Sequence, residues 1–256
     1  MIIILRRLWR LSHLSTLIML GIIICLVSWP PRTVGWMSMH RFILIKNWWF
    51  QRILRALGAR VHVVGHIRSQ PGMWVSNHVS WLDIVVLGAY APIHFVSKAE
   101  VARWPVIGFL ARQAGTLFLR RGAHESEHLK NQMQTRIQAG HGVLFFPEGT
   151  TGPGHFLRRF HPRLFATAIE LKQAVIPVAI RYEHTPQPHP VVYYREGQTL
   201  LQNLWAVLAE PRLDISLISA DPILNTDLPR RELADLSRDI IRQSLQLSAP
   251  ALPPDV

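Results

Sequence analysis

The first acidic residue of this chain is Asp83; the 82 residues before it hold ten Lys/Arg and no Asp or Glu. A basic stretch of this length fits an anionic partner, either lipid or nucleic acid. Residues 83–256 carry eighteen basic and sixteen acidic side chains, so +10 of the formal net charge of +12 lies in the first third of the chain. The company these charges keep identifies the partner. Residues 14–29 read LSTLIMLGIIICLVSW, sixteen positions without a charge, and extending back to Leu11 gives nineteen, including His13. Five of the nine tryptophans (Trp9, Trp29, Trp36, Trp48, Trp49) fall in the first 49 residues, and tryptophan favours the membrane–water interface. Lysine and arginine beside such segments are attracted to anionic headgroups. The partner expected is lipid and not nucleic acid.

Spanning a bilayer takes about 20 apolar residues, so the first segment is marginal in length. Arg6, Arg7 and Arg10 before it would suit a secretory leader, but Trp29-Pro30-Pro31-Arg32 follows where a small-x-small cleavage site would stand. Cleavage is not expected. A second stretch, Trp36 to Leu57, carries Arg41, Lys46, Arg52 and Arg55, and Arg41, Arg52 and Arg55 fall within roughly a 60° arc of a helix. It reads either as a helix lying among headgroups or as an amphipathic core helix. Basic residues flank the first segment on both sides, so loop charge gives no orientation. A hairpin dipping into one leaflet, with Pro30-Pro31 at its turn, would keep the rest of the chain on the cytoplasmic face of the inner cell membrane. The single cysteine, Cys25, excludes an internal disulfide and a cysteine metal cluster.

From about residue 61, short β-branched and aromatic runs alternate with helical patterns. Strands are expected at 61–64, 73–76, 93–97, 116–119, 142–146, 175–182, 191–194 and 212–219. Helices are expected at 81–89, 105–112, 125–139, 163–172, 200–207 and 229–247. Near-continuous apolar strands between helices indicate an α/β fold with a largely buried sheet flanked by helices. The organisation expected is a membrane-docking helical pair over residues 1–58, one domain over 59–247, and a disordered proline-rich tail over 248–256.

Three segments carry chemistry. In Asn77-His78-Val79-Ser80-Trp81-Leu82-Asp83, a histidine and a carboxylate lie five positions apart. An imidazole near its ordinary pKa of ~6.5 accepts a proton at neutral pH, and a carboxylate on its other nitrogen fixes the tautomer. The alternative is a helix capping box, Ser80-x-x-Asp83, in which Asp83 ties down backbone N–H groups; the two roles are compatible. Phe145-Phe146-Pro147-Glu148-Gly149-Thr150-Thr151-Gly152 follows a strand and is rich in glycine and hydroxyls. It suits either an oxyanion-binding loop or a plain turn. Gly115 to Gly122 is a strand ending in Arg120 and Arg121, whose guanidinium forks suit phosphate. Lys98, after the strand at 93–97, is a further phosphate contact.

These pieces, in this order, resemble the glycerolipid acyltransferases, most closely the 1-acylglycerol-3-phosphate type. The family's N-H-x-x-x-x-D motif is matched by Asn77, His78 and Asp83. Its Gly with Arg six residues on is matched by Gly115 and Arg121, its F-P-E-G-T by Phe146 through Thr150, and its apolar-Pro-apolar strand by Ile176-Pro177-Val178. The resemblance covers about residues 60–185. It implies a mixed sheet, His78 and Asp83 as the catalytic pair, and an acceptor site that includes Asn77. Arg121 and Lys98 would bind the acceptor headgroup, and Glu148, Gly149 and Thr150 the glycerol or phosphate part. It implies transfer from acyl-CoA or acyl-carrier protein to the hydroxyl of a lysophospholipid, with no metal, no other cofactor and no covalent acyl-enzyme. The acceptor expected first is 1-acylglycerol-3-phosphate. Three departures touch the headgroup: Thr151 where many members have Arg, Arg120 where an acid is common, and His161 where a basic residue commonly follows Phe160. Residues 77–88, with Glu148 through Thr151, also look like the lyso-ornithine lipid acyltransferases of the same superfamily, which makes lyso-ornithine lipid the alternative acceptor. A basic, non-catalytic membrane protein is the remaining reading.

Overall fold

The computed structural model describes residues 1–67, 70–119, 123–152, 154–184, 189–224 and 227–247, with backbone alone for 123–126. The expected tail and Arg121 lie outside the described residues. Strands β1 (Ala59–Val64), β2 (Gly72–Ser76), β3 (Ile93–Lys98), β4 (Leu117–Leu119), β5 (Gly142–Phe145), β6 (Val175–Tyr182) and β7 (Leu213–Ser219) form one sheet in the order β1-β7-β6-β2-β5-β3-β4. Every neighbouring pair is parallel except β6 and β7. The sheet is therefore mixed, as the resemblance implies.

Central strands β2 and β5 are buried along their whole length, which is why they read as apolar runs and not as alternating ones. Successive side chains still point to opposite faces. Trp74, Leu144, Ile176 and Val178 pack under helices α1 (Ile2–Thr33), α2 (Met39–Ala56), α3 (Leu82–Tyr90) and α7 (Leu200–Val207). Met73, Val75, Val143, Phe145 and Val175 pack under α5 (Ala123–Gln138), α6 (Phe165–Glu170) and α8 (Arg230–Ser244). A 3-10 helix, Ala99–Arg103, and α4 (Ile107–Gln113) join β3 to β4.

One expected strand does not form. Residues 191–194 make turns, although Val192 is fully buried. The amide of Asn203, on α7, donates to the carbonyls of Val191 and Tyr193 at 3.0 and 3.3 Å. A side chain thus takes the acceptors that a neighbouring strand would have used, and the segment serves as an apolar plug.

The N-terminal pair also differs from expectation. α1 runs through Pro30 and Pro31, which occupy its last turn. The reversal comes after them: Val34 N–H and Met37 N–H donate back to the carbonyls of Pro30 and Pro31, and Gly35 supplies a φ of 80°. Ser38 then caps α2 by accepting from Arg41 N–H. The pair closes tightly at Gly21, where a Cβ would stand 2.6 Å from the Trp49 ring, and Trp49 Nε1–H donates to Leu17 O at 2.7 Å. Arg41, Arg52 and Arg55 face outward, while Phe42, Ile43, Lys46, Ile53 and Leu54 are buried. α2 is thus amphipathic in both senses raised by its sequence, with a core face and a basic outer face. α1 is long and apolar enough to cross a membrane, yet both its ends are bonded to the sheet domain. Near its start, Arg6 donates to Ala209 O at 2.7 Å and Arg10 to Glu210 O and Pro211 O at 2.5 and 3.1 Å. At its end, Arg32 donates to the backbone and side-chain carbonyls of Gln113 at 3.0 and 2.7 Å.

Candidate active site

Strand β2 leads through α3 to β3 on one side of β5, whereas β5 leads through α6 to β6 on the other side of β2. Adjacent strands whose connections leave in opposite directions open a crevice beyond their carboxyl ends. Residues 77–81 and 146–152 line that edge, and both sequence motifs lie there.

Asn77 is the first residue past β2. Its amide donates to Ile180 O at 2.9 Å and accepts from Ile180 N–H at 2.8 Å. This imitates one more rung of the sheet and fixes where His78 begins. The chain then turns into α3, and Asp83, in the first turn, reaches back. Its Oδ2 accepts from Val79 N–H (2.6 Å), Ser80 N–H (2.9 Å) and His78 Nδ1 (2.8 Å). Its Oδ1 accepts from the Tyr182 hydroxyl at 2.6 Å. The capping and orienting roles coexist in one carboxylate. The other half of a capping box is absent: Asp83 N–H bonds the backbone carbonyl of Ser80 and not its hydroxyl. Burial, and then the Asp83 charge, hold the Tyr182 phenol well above its ordinary range, so it stays a donor.

With Nδ1–H aimed at Asp83, the lone pair of His78 lies on Nε2, which has no protein partner among the described residues. The His78 ring stacks on Phe146 with centroids 4.0 Å apart and planes 14° apart. Its side chain is 17% exposed, against 0% for Asp83. The imidazole is therefore reachable and the carboxylate that orients it is sealed.

Glu148 locks the two motifs together. One oxygen accepts from His78 N–H at 2.7 Å, the other from Arg158 N–H at 3.0 Å, and Gly152 N–H donates to His78 O at 2.6 Å. Burial pushes the Glu148 carboxyl up to about 7, with the two backbone donors opposing. Both Glu148 oxygens are thus occupied by the protein's own backbone. Gly149 takes a φ of 70°, which favours glycine, and Gly149 and Thr150 are exposed beside this clamp. Lys98 is exposed at the end of β3, two strands from β2, which is roughly 10 Å at the usual strand spacing.

The structure brings together Asn77, His78, Asp83 and Glu148 and places Lys98 further along the same edge; Arg121 lies beyond description. Tyr182 was not singled out from sequence. It ends an apolar strand nearly a hundred residues from its partner, and nothing local marks its hydroxyl as part of the site. Arrangements of this kind, with an oriented imidazole whose free nitrogen faces a crevice, can accept a proton from a substrate hydroxyl. Among the described residues, no group of three or more His, Cys, Asp or Glu converges as metal ligands.

Known proteins resemble this chain in sequence and in fold. The family model described as acyltransferase matches residues 58–181. A protein of Pseudomonas aeruginosa named lyso-ornithine lipid O-acyltransferase is 40% identical over 94% of this chain and 94% of its own. One of Neisseria meningitidis serogroup B, named 1-acyl-sn-glycerol-3-phosphate acyltransferase, is 40% identical over 67% of this chain and 66% of its own. The crystal structure of the 1-acyl-sn-glycerophosphate acyltransferase from Thermotoga maritima superposes with a TM-score of 0.73, covering 95% of this chain and 94% of that one; at 18% identity the likeness is one of fold. With the family model matching residues 58–181 and a relative this similar along nearly its whole length, the chain belongs to the acyltransferase family.

Proposed function

We propose that this protein is a membrane-bound O-acyltransferase that esterifies the free hydroxyl of a lysolipid, with lyso-ornithine lipid as its acceptor. The observation that carries the chemistry is the buried Asp83 carboxylate on His78 Nδ1, which leaves Nε2 without a protein partner among the described residues on a partly exposed ring. Nε2 takes the proton of the acceptor hydroxyl as its oxygen attacks the carbonyl carbon of an acyl thioester. Collapse of the tetrahedral intermediate breaks the C–S bond, and the departing thiolate takes the proton back from the imidazolium. Asp83 stabilises that imidazolium. The donor is an acyl-CoA or an acyl-carrier protein. Asn77 and Glu148 act as positioning residues, while Lys98, Arg121, Gly149 and Thr150 supply the contacts to the acceptor.

The acceptor assignment rests on the Pseudomonas relative, whose match runs along the whole chain. Thr151 supports it, because many members of the family carry an arginine there, a side chain suited to phosphate. 1-Acylglycerol-3-phosphate is the second reading, favoured by the Neisseria relative. Soluble thioester donors are made inside the cell, which puts the domain on the cytoplasmic face of the membrane. Assaying the purified protein in detergent, with both acceptors and both donor types, tests the proposal. A higher kcat/KM for lyso-ornithine lipid is expected; inactivity toward both acceptors would overturn it.

A further inference from the structure

After Lys98, the 3-10 helix and α4 border an open hollow of about 420 Å³ lined by Ala99, Ala102, Arg103 and Arg112. The two alanines leave room and the two arginines supply charge; Arg112 also donates to the carbonyl of Ala102. Glu100 is the sole acidic residue of 99–112 and is not part of the lining. α4 is pinned against the 3-10 helix at Gly108, where a Cβ would meet Ala102 O at 2.4 Å.

The link between these helices is strained. Val106 has φ 59° and ψ −61°, and Ile107 N–H donates to Pro105 O at 2.6 Å. This three-residue turn is rare, and rarer still for a β-branched side chain. Strain of this kind persists where the surrounding structure enforces it, commonly at functional sites. Here the turn carries five consecutive exposed residues, Arg103 to Ile107. Trp104, Val106 and Ile107 are 45%, 43% and 42% exposed. The other end of the same short helix, at Gln113, is bonded to Arg32 of α1. Beside that point α1 leaves Leu26, Val27 and Trp29 exposed. The apolar turn thus belongs to a helix that is bonded to α1 at its other end.

We propose that residues 103–107 form a third membrane-docking element, in which Trp104, Val106 and Ile107 enter the leaflet while Arg103 and Arg112 hold the headgroup of an anionic phospholipid. The charge of Arg103 and Arg112 selects an anionic lipid, and the bond of α4 to the apolar helix α1 selects a bilayer lipid. The inference depends on the membrane placement proposed above.

The test labels Val106→Cys, in a Cys25→Ala background, with an environment-sensitive fluorophore. Asn131→Cys, exposed on α5 beyond the opposite face of the sheet, is the control. Vesicles contain either phosphatidylcholine alone or added phosphatidylglycerol, with and without nitroxide-bearing lipid. The label at 106 should shift to the blue and be quenched, and the label at 131 should do neither. Arg103→Gln should reduce preference for phosphatidylglycerol about fivefold, as expected for one headgroup contact. That variant keeps the Arg112 bond to Ala102. Protein that binds vesicles through α1 and α2 while the label at 106 stays in water would overturn the proposal. So would an insertion at 106 with no loss of lipid preference in Arg103→Gln, as regards the headgroup site. Turnover of the wild-type protein in detergent is read separately and tests the acyltransferase assignment alone.

Discussion

Asp83 accepts four hydrogen bonds on two oxygens, and its neighbours differ in what they need from it. Val79 and Ser80 need any acceptor for their buried N–H groups, whereas a protonated His78 needs a negative charge. Asparagine separates these needs. In Asp83→Asn, an oxygen at the Oδ2 position still accepts from both backbone groups and from Nδ1–H, so the fold should persist. Turnover should fall by at least about a hundredfold, within the range general-base assistance provides. Asp83→Ala should lose both, because each buried N–H left without a partner costs about 1–3 kcal/mol. Thermal melts alongside kcat distinguish the outcomes; an asparagine variant that melts far below wild type would count against this division of roles. The five-residue spacing of His78 and Asp83 was legible because a short loop leads from the first into α3, whose first turn lets the second reach back. Glu148 was legible as a polar group but not in its job. Its partners are backbone N–H groups of residues 70 positions before it and 10 after, and backbone donors leave no mark on sequence.

Helix α2 shows how an element's two faces can be read unequally. Its outer arginines were visible as an arc, but Lys46 looked like one more basic residue of a lipid-facing helix. It is buried and donates to Ile93 O at 2.7 Å, and burial pushes its ammonium down to about 7. A group whose folded pKa lies below its unfolded value of about 10.4 contributes stability at high pH, which is lost as pH falls toward 7. Lys46→Met should therefore raise the melting temperature most below pH 7, with the gain shrinking as pH approaches 10; a gain independent of pH would contradict the burial of this cation. The missed reversal after Pro30-Pro31 has a related cause. Proline lacks an N–H but keeps its carbonyl, and those carbonyls accept the bonds of the following turn. The expected strand at 191–194 failed because a side-chain amide supplied its partners, which periodicity cannot reveal.

At the scale of the whole molecule, strand existence was written in apolar runs, but order and direction were not. Nothing in the sequence of β7 says that it pairs antiparallel to β6 and parallel to β1. That arrangement, together with the crossovers from β2 and β5, puts both motifs at one edge. The proposed membrane placement rests on contacts at the same scale. α1 is about 48 Å long at 1.5 Å per residue, and both of its ends are bonded to the sheet domain. An in-plane anchor satisfies those contacts, and a single crossing breaks one set. Cysteines placed at Ile3 and Val34, in a Cys25→Ala background, should both react with an impermeant thiol reagent from the cytoplasmic side of inverted vesicles. Labelling from opposite sides would show that α1 crosses.

The most direct measurement is the initial rate of acyl transfer to lyso-ornithine lipid by purified wild-type protein and by His78→Ala, each checked for native circular dichroism and vesicle binding. The wild type should form the diacylated product, and the variant should lose at least about a hundredfold in kcat while still folding and binding vesicles. A folded His78→Ala protein that turns over at the wild-type rate would show that this imidazole is not the base.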